Sequence, residues 1–257
     1  MSSTTTNEDI LSDSELLRYS RHISIKAMDF EGQERLKLAK VLVIGVGGLG
    51  CAATQYMTVA GVGMMTLVDF DTVELSNLQR QVLHQDNNIG QPKVESAKES
   101  LNKLNPHVQI ETINGQQGDH ELDSLIANHT LIMDCTDNIP VREQLNISCF
   151  THKVPLVSAA AIRMEGTVTS FNYQDDTPCY QCFSHLIAEQ NLTCVESGIL
   201  APVVGMIGSL QAIEAIKIIS NMGKPLIGRI LMIDAMTMEF REMKLAKQVN
   251  CAVCANS

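Results

Sequence analysis

A glycine-rich segment of the chain has the composition of a phosphate-binding turn. Gly45-Val-Gly-Gly-Leu-Gly50 directly follows Val41–Ile44, a short apolar run rich in β-branched residues that predicts a buried parallel strand. Glycines at this point permit a tight turn and let backbone amides at the start of a helix approach a phosphate. Asp69 ends the next predicted strand, where a carboxylate accepts hydrogen bonds from ribose hydroxyls. The pattern predicts a nucleotide site, although glycine turns also end strands in proteins that bind no nucleotide.

Polar side chains beyond this carboxylate favour a triphosphate over a dinucleotide. Ser76-Asn-Leu-Gln-Arg80 supplies an amide and a guanidinium, and Lys93 follows in the first turn of a predicted helix. Two cations suit the larger negative charge of a triphosphate. Asp134-Cys-Thr-Asp-Asn138 closes another predicted strand at the sheet edge where ligands bind, and Asp137 there is suited to Mg²⁺. Two simpler alternatives stay open: both cations as solvated surface charges, and Asp137-Asn138 as a helix cap.

Four of the eight cysteines form two pairs with identical spacing. The pairs are Cys179-Tyr-Gln-Cys182 and Cys251-Ala-Val-Cys254, with 68 residues between them. Four thiolates predict a structural zinc site with no open coordination position, although the separation exceeds the roughly 15–20 residues of a zinc ribbon. A redox pair is the alternative, but Cys179 follows Pro178 in a predicted loop instead of opening a helix. We expect one zinc ion per chain that holds the C-terminal tail.

Charge and composition argue against several classes of partner. The net charge is −10 and no basic block occurs, so nucleic acid and anionic membranes are poor partners. The first 15 residues lack the basic and apolar regions of a signal peptide. Three glycines and a proline interrupt the longest charge-free apolar stretch, residues 197–213, which is too short for a comfortable membrane span. We therefore expect a cytoplasmic protein whose thiols stay reduced.

Alternating strand and helix patterns must position these residues. Short apolar runs alternate with amphipathic stretches from residue 41 to residue 160, which predicts an α/β fold with a Rossmann-like, doubly wound parallel sheet. Beyond about residue 162, strands over 165–173 and 229–243, with a helix over 202–220, predict a mixed or antiparallel C-terminal half. Further strands are predicted over 65–68, 108–113, 130–133 and 155–160. Further helices are predicted from Ser12 and over 33–39, 49–60, 92–104, 121–127 and 141–150.

Together, five segments resemble those of one family, the MoeB/ThiF/HesA adenylyltransferases, which are bacterial relatives of ubiquitin-activating enzymes. The resemblance extends from about Leu16 to Cys254, and it is strongest to the branch that serves molybdenum cofactor biosynthesis. The segments are Gly45-Val-Gly-Gly-Leu-Gly50, Asp69-Phe-Asp-Thr-Val, Ser76-Asn-Leu-Gln-Arg80, Gly90-Gln-Pro-Lys93 and Asp134-Cys-Thr-Asp-Asn138.

The resemblance implies an ATP-dependent reaction on a protein substrate. The implied substrate is the sulfur-carrier subunit of molybdopterin synthase, a small β-grasp protein ending in Gly-Gly. Its C-terminal carboxylate attacks the α-phosphate of ATP, and pyrophosphate is released. Because an anion approaches an anion, charge neutralisation and alignment dominate the barrier. By resemblance, the catalytic residues are Arg21, Asn77, Arg80, Lys93 and Asp137, with Mg²⁺ at Asp137. The residues implied to bind ATP are Gly48, Asp69, Ser76, Asn77, Leu78, Gln79, Arg80, Lys93, Asp137 and Asn138.

The resemblance also implies a homodimer and a single domain with two functional halves. Arg21 matches an arginine that family dimers insert into the neighbouring subunit's ATP site. We expect a single adenylation domain over 1–257, with residues 1–11 disordered, 12–162 as the nucleotide-binding half and 163–257 as the carrier-binding and zinc half. Cys194 lies where some relatives have a cysteine used in thioester or persulfide chemistry. Because an adenylate forms without a thiolate nucleophile, we expect Cys194 to be dispensable.

Two alternative functions stay open. One keeps the chemistry and changes the substrate to the sulfur carrier of the thiamine pathway. The other is a non-catalytic zinc protein that binds a nucleotide and senses ligands or holds partners. A full set of phosphate-handling side chains favours catalysis, since a scaffold has no need of them.

Overall fold

The computed structural model describes residues 10–174, 176–184 and 198–255. The strands are β1 (Lys40–Ile44), β2 (Met64–Asp69), β3 (Gln109–Asn114), β4 (Leu131–Asp134), β5 (Leu156–Ile162), β6 (Glu165–Phe171), β7 (Arg229–Asp234) and β8 (Glu239–Lys244). The helices of these ranges are α1 (Asp13–Arg18), α2 (Ser20–Ile23), α3 (Asp29–Leu38), α4 (Gly48–Ala60), α5 (Lys93–Leu104), α6 (Asp119–Ala127), α7 (Ile139–His152), α8 (Tyr180–Ser184) and α9 (Ala201–Ser220).

Within the described ranges, all eight strands form one sheet in the order β3-β2-β1-β4-β5-β6-β7-β8. The first five strands are parallel, and β1 lies between β2 and β4. Ile44 at the end of β1 is aligned with Val68 on one side and with Asp134 on the other. The order of the strands reverses at β1, so a crevice opens beyond the carboxyl ends of β1 and β4, where such sheets bind ligands. The predicted doubly wound α/β fold is confirmed.

The C-terminal half of the sheet is antiparallel, as expected. Strands β5 and β6 form a hairpin, β6 pairs with β7, and β7 pairs with β8. The segment 229–243, which the pattern predicts as strand in a hairpin, consists of the two strands β7 and β8, because the chain turns between Asp234 and Glu239 and Met238 adopts a positive φ of 57°. Helix α9 connects β6 to β7 across the sheet and packs on α4, β5 and β6.

Local sequence accounts for the start of α1. Ser12 caps α1, because its hydroxyl accepts from the Glu15 amide while the Glu15 carboxylate accepts from the Ser12 amide. Helix α3 begins at Asp29, four residues before the predicted start, and the Asp29 carboxylate accepts a hydrogen bond from the Phe30 amide. The short helices α2 and α8 were not predicted, since neither has an apolar period of its own.

Two apolar clusters cover the two faces of the sheet. One joins α4, α5 and α9 to the strands, and the other joins α6 and α7 to the strands and to the paired cysteines. Helix α9 is long and apolar enough, by length and composition, to cross a membrane, yet more than half of the apolar stretch is buried inside this protein. A core helix is apolar on most sides, which explains its composition.

Candidate active site and metal centre

The glycine segment forms the turn between β1 and α4. Gly45 adopts φ +92°, and a Cβ there would lie 2.9 Å from the carbonyl oxygen of Cys135, so glycine is required at this position. Helix α4 begins at Gly48, and Gly47 offers no side-chain cap. The first helical hydrogen bond runs from the Cys51 amide to the Gly47 carbonyl at 2.9 Å. The amides that precede it, those of Gly48, Leu49 and Gly50, are therefore donors suited to an anion.

Arg80 lies over the start of α4. A Cβ on Gly48 would be 3.6 Å from the Arg80 Cγ and only 2.6 Å from the Cγ1 of Val204 in α9, so the glycine leaves room at this point. The half-buried Arg80 donates from Nη1 to the Ser76 carbonyl at 3.0 Å. The structure thus brings two predicted phosphate-binding residues together. A guanidinium and free helix amides at one place form an electropositive pocket.

Asp69 connects the predicted ribose site to the glycine turn. Its Oδ2 accepts from the Val46 amide at 2.7 Å, and its Oδ1 accepts from the Asp71 amide at 2.9 Å. A carboxylate has about four acceptor positions, so both oxygens retain capacity for ribose hydroxyls. Asp69 therefore holds the glycine turn, and its remaining acceptor positions are available for the ribose binding predicted from its place at the end of β2.

Asn77 is buried at the end of a 3₁₀ turn that spans Leu75–Asn77. Its carbonyl accepts from the amides of Arg80 at 3.1 Å and Gln81 at 3.0 Å, so this residue sets the backbone that carries the guanidinium. The remaining members of the segment differ in exposure. Ser76 and Gln79 are exposed and Leu78 is half-buried.

Lys93 is the first residue of α5, and it is only 6% exposed. Its Nζ lies 2.6 Å from the Oδ2 of Asp71, whose side chain is 49% exposed. Lys93 is therefore no solvated surface charge, and that alternative is wrong for this residue. Asp71 was not assigned a role from the sequence, although its position two residues after Asp69, in the same loop, was the available signal.

The loop after β4 lies beside the glycine turn, because the Cys135 amide donates to the Ile44 carbonyl at 2.9 Å. Asn138 caps α7 by accepting from the Val141 amide at 3.2 Å, so the helix-cap alternative is confirmed for Asn138. Asp137 is exposed. Among the contacts of the described residues, no hydrogen bond or ion pair engages its carboxylate, which leaves the oxygens for a cation.

A buried ion pair beneath this loop was missed by sequence reasoning. The Arg142 Nε lies 3.4 Å from the Oδ2 of Asp134, which also accepts from the Ser158 hydroxyl at 2.6 Å. The guanidinium donates to the carbonyls of Thr136 and Ala159. Burial alone lowers the pKa of Arg142, but the charge of Asp134, together with Tyr180 and the charge of Asp137, outweighs it and the pKa is raised. Because both charges are paired and hydrogen-bonded, the network fixes the loop that presents Asp137.

One residue implied to be catalytic is not part of this assembly. Arg21 is exposed on α2, and no described contact joins it to the glycine turn or to the loop after β4. Cys194 lies outside the described residues.

The four paired cysteines converge although they are far apart in the sequence. Their sulfur atoms all lie within 4.8 Å of one another, and all four residues are buried. Cys179 and Cys251 are 3.6 Å apart at Sγ, and Cys182 and Cys254 are 3.4 Å apart. Tetrahedral zinc with Zn–S bonds of about 2.3 Å requires sulfurs about 3.8 Å apart, whereas a disulfide would bring them to about 2.05 Å.

Hydrogen-bond donors surround this cluster of sulfurs. The Asn146 side chain donates to the sulfur of Cys179 at 3.7 Å, and the backbone amide of Gln248 donates to the sulfur of Cys182 at 3.4 Å. Donors of this kind orient metal ligands. The donor set and its spacing therefore fit a metal ion held by four thiolates.

Comparison with known proteins finds relatives that match most of the chain. The chain is 60% identical to a molybdopterin-synthase adenylyltransferase of Escherichia coli, over 95% of this chain and 98% of that protein. It is 40% identical to an adenylyltransferase and sulfurtransferase, MOCS3, of Drosophila sechellia, over 95% of this chain but only 54% of that protein. A solved structure of E. coli MccB with succinimide has a TM-score of 0.82 at 25% identity and covers 92% of this chain and 74% of that one.

The family model described as the ThiF family matches residues 19–253. This range includes the glycine turn, the loop after β4 and three of the four paired cysteines, and Cys254 lies one residue beyond it. The resemblance inferred from the sequence motifs is confirmed, and the chain belongs to the ThiF family.

Proposed function

We propose that the chain uses ATP to adenylate the C-terminal glycine carboxylate of the small β-grasp sulfur-carrier subunit of molybdopterin synthase, in molybdenum cofactor biosynthesis. The class of reaction follows from relatives that are 54–60% identical and carry the name molybdopterin-synthase adenylyltransferase. The observation that supports ATP as the nucleotide most directly is the crevice beyond the carboxyl ends of β1 and β4. The uncapped start of α4 and Arg80 lie together there, and the loop that carries the unpartnered carboxylate of Asp137 lies beside the glycine turn.

The positions of these groups define how ATP would bind. The amides of residues 48–50 and the guanidinium of Arg80 receive the phosphates, and Asp69 receives the ribose. Lys93 exchanges its bond to Asp71 for one to a phosphate oxygen, with little movement because its stem is buried. Asn77 fixes the backbone of Arg80, and Ser76, Leu78 and Gln79 line the same wall.

Asp137 is the residue that would hold Mg²⁺, and the side-chain amide of Asn138 lines the same pocket. When bound, the ion supplies positive charge to the phosphates and to the departing pyrophosphate. Carboxylate oxygen is the ligand type that Mg²⁺ prefers, and the exposed Asp137 would offer it.

The reaction is a single displacement at phosphorus. A carboxylate oxygen of the carrier attacks the α-phosphorus, the bond from that phosphorus to the bridging oxygen breaks, and the electron pair leaves with pyrophosphate. The product is a mixed anhydride between the carrier and AMP. Arg80 and Lys93 neutralise the charge that would otherwise repel the carboxylate, and no side chain of this protein forms a covalent bond.

The remaining assignments are part of the same proposal. The metal at the four cysteines is a structural zinc ion, because four thiolates leave no open position for a substrate. The carrier binds the half formed by residues 163–257, and residues 12–162 bind the nucleotide. The active form is a cytoplasmic homodimer, and the exposed Arg21 of one subunit completes the ATP site of the other.

The proposal is tested by ATP–pyrophosphate exchange with purified carriers. We expect exchange only when a β-grasp carrier ending in Gly-Gly is added, and intact-mass measurement should show an adenylated carrier. Exchange that depends on the thiamine-pathway carrier alone would transfer the chemistry to that substrate. ATP binding without exchange with any carrier would favour the non-catalytic alternative.

Replacing Cys194 with alanine should leave adenylation unaffected. The carboxylate attacks phosphorus directly, so a thiolate nucleophile has no step to perform. The exchange rate of Cys194→Ala is expected to stay within a few-fold of that of the unaltered protein. A loss of about a hundredfold or more, or a carrier covalently attached at Cys194, would contradict this assignment and indicate a relative that carries acyl groups or sulfur on cysteine.

A further inference from the structure

Both backbone polar groups of Val46, inside the glycine turn, are hydrogen-bonded. Its amide donates to Asp69 at 2.7 Å, and its carbonyl oxygen lies 3.3 Å from the Nε2 of His84. The Nδ1 of the same imidazole lies 2.9 Å from the Ser96 hydroxyl. With Nε2 protonated, the ring donates to the Val46 carbonyl and Nδ1 accepts from the Ser96 hydroxyl. The imidazole then bridges the glycine turn and helix α5.

The surroundings keep this bridge uncharged. His84 is 5% exposed, and its burial lowers the pKa of the imidazole. The Cys51 thiol also contacts this bridge: its Sγ lies 3.6 Å from Nε2 and donates to the Val46 carbonyl at 3.5 Å, and burial raises the pKa of Cys51 to about 12. A neutral imidazole and a neutral thiol fill the space beneath the turn, so neither adds a charge beside the amides that would bind phosphate.

Helix α5 carries both the bridge and the buried cation. Ser96 follows Lys93 by three residues, which is nearly one helical turn. A second contact holds the same two segments together, because the Ser100 hydroxyl donates to the Leu83 carbonyl at 2.6 Å. The glycine turn cannot position itself, since four of its six residues have no side chain. Its distance from Lys93 depends on bonds made from outside the turn.

We propose that His84 is a positioning residue of the nucleotide site. By tying the Val46 carbonyl to Ser96, it sets the separation between the amides at the start of α4 and the ammonium group of Lys93, so that one triphosphate contacts both. This inference rests on the proposed function. Charge-assisted hydrogen bonds weaken steeply when donors are misplaced, and loss of the bridge should therefore weaken nucleotide binding.

The test measures binding of α,β-methylene ATP with Mg²⁺ by calorimetry, with no carrier present. We expect His84→Leu to raise Kd by about tenfold or more, because a buried hydrogen bond on each side is lost. His84→Gln should recover most of the affinity, since its side-chain amide can donate to the Val46 carbonyl. Ser96→Ala removes only the hydroxyl and should raise Kd by a smaller factor.

His129 provides the matched control. It is also a bridging histidine, with Nδ1 2.6 Å from the Leu125 carbonyl and Nε2 2.8 Å from the Thr66 hydroxyl, but it makes no described contact with the site. Its burial likewise lowers the pKa of the ring. His129→Leu should lower the melting temperature as His84→Leu does, and it should leave the Kd for the analogue unchanged.

The outcomes separate this inference from the function on which it rests. If the unaltered protein binds the analogue and His84→Leu binds it equally well, the positioning role is overturned and the proposed function is not. Equal loss of affinity in His129→Leu would also overturn it, since the effect would then be general destabilisation. If His84→Leu fails to fold, an unchanged Kd in Ser96→Ala overturns the inference. Failure of the unaltered protein to bind the analogue would overturn the proposed function together with the inference.

Discussion

Replacing Asp137 with alanine is expected to slow adenylate formation by about a thousandfold, which corresponds to about 4 kcal/mol of lost transition-state stabilisation. The carboxylate lies at the crevice, beside the turn that would bind the phosphates, and it is the proposed ligand of Mg²⁺. Without it, the negative charge of the departing pyrophosphate loses the ion that would neutralise it. The folded protein should persist, because the side chain is exposed and no described hydrogen bond or ion pair engages it.

The measurement is the carrier-dependent ATP–pyrophosphate exchange rate, with the melting temperature recorded for each variant. Asp86→Ala is a matched control, since Asp86 is an equally exposed aspartate in a loop, within the 3₁₀ turn Asp86–Asn88. It should retain the exchange rate of the unaltered protein. A folded Asp137→Ala variant that exchanges at a near-normal rate would contradict the assignment of Asp137 to Mg²⁺.

Loss of the metal at the four cysteines should have the largest effect on stability. We expect one zinc ion per chain, and we expect chelation or Cys251→Ser to lower the free energy of unfolding by about 3 kcal/mol or more. For a chain of this size, that loss lowers the melting temperature by about 10 °C. The C-terminal segment after β8 should then become sensitive to proteases, because two of the four metal ligands lie within it.

Metal analysis of carefully purified protein tests this directly, and Cys149→Ser is the control. Cys149 is buried in α7, like the cluster cysteines, but it lies outside the group of four sulfurs. The Cys149→Ser variant should retain one equivalent of zinc even if it is less stable. Far less than one equivalent in the unaltered protein, or full zinc content in Cys251→Ser, would be incompatible with the proposed centre.

Much of the scaffold could be predicted from local pattern. The run Val41–Ile44 and the glycines after it predict a buried strand and a tight turn, because the pleat, the helical period and positive φ angles each restrict which residues are allowed. The alternation of strands and helices up to residue 160 predicts the doubly wound sheet for the same reason. Strand ends such as Asp69 and Asp134 predict the edge at which polar groups gather, because parallel strands present their carboxyl ends together.

The partners of these polar groups could not be predicted in the same way. Lys93 pairs with Asp71, and Arg142 pairs with Asp134. Neither pairing follows from a period or a motif, because each joins separate elements and depends on their packing. The same reason explains why Asn138 caps α7 while Asp137 beside it stays unpartnered.

Residue types and local spacing establish which groups this protein can bring to a reaction: a turn of free amides, two cations, a set of carboxylates and four thiols in two equal pairs. Which of these groups meet depends on how distant segments pack. The spacing within each cysteine pair is local, but the approach of Cys179 to Cys251 depends on where α8 and the tail lie after β8. The bridge from Val46 through His84 to Ser96 likewise exists only because three segments far apart in the chain pack together, and burial then removes the water that would otherwise compete for its hydrogen bonds.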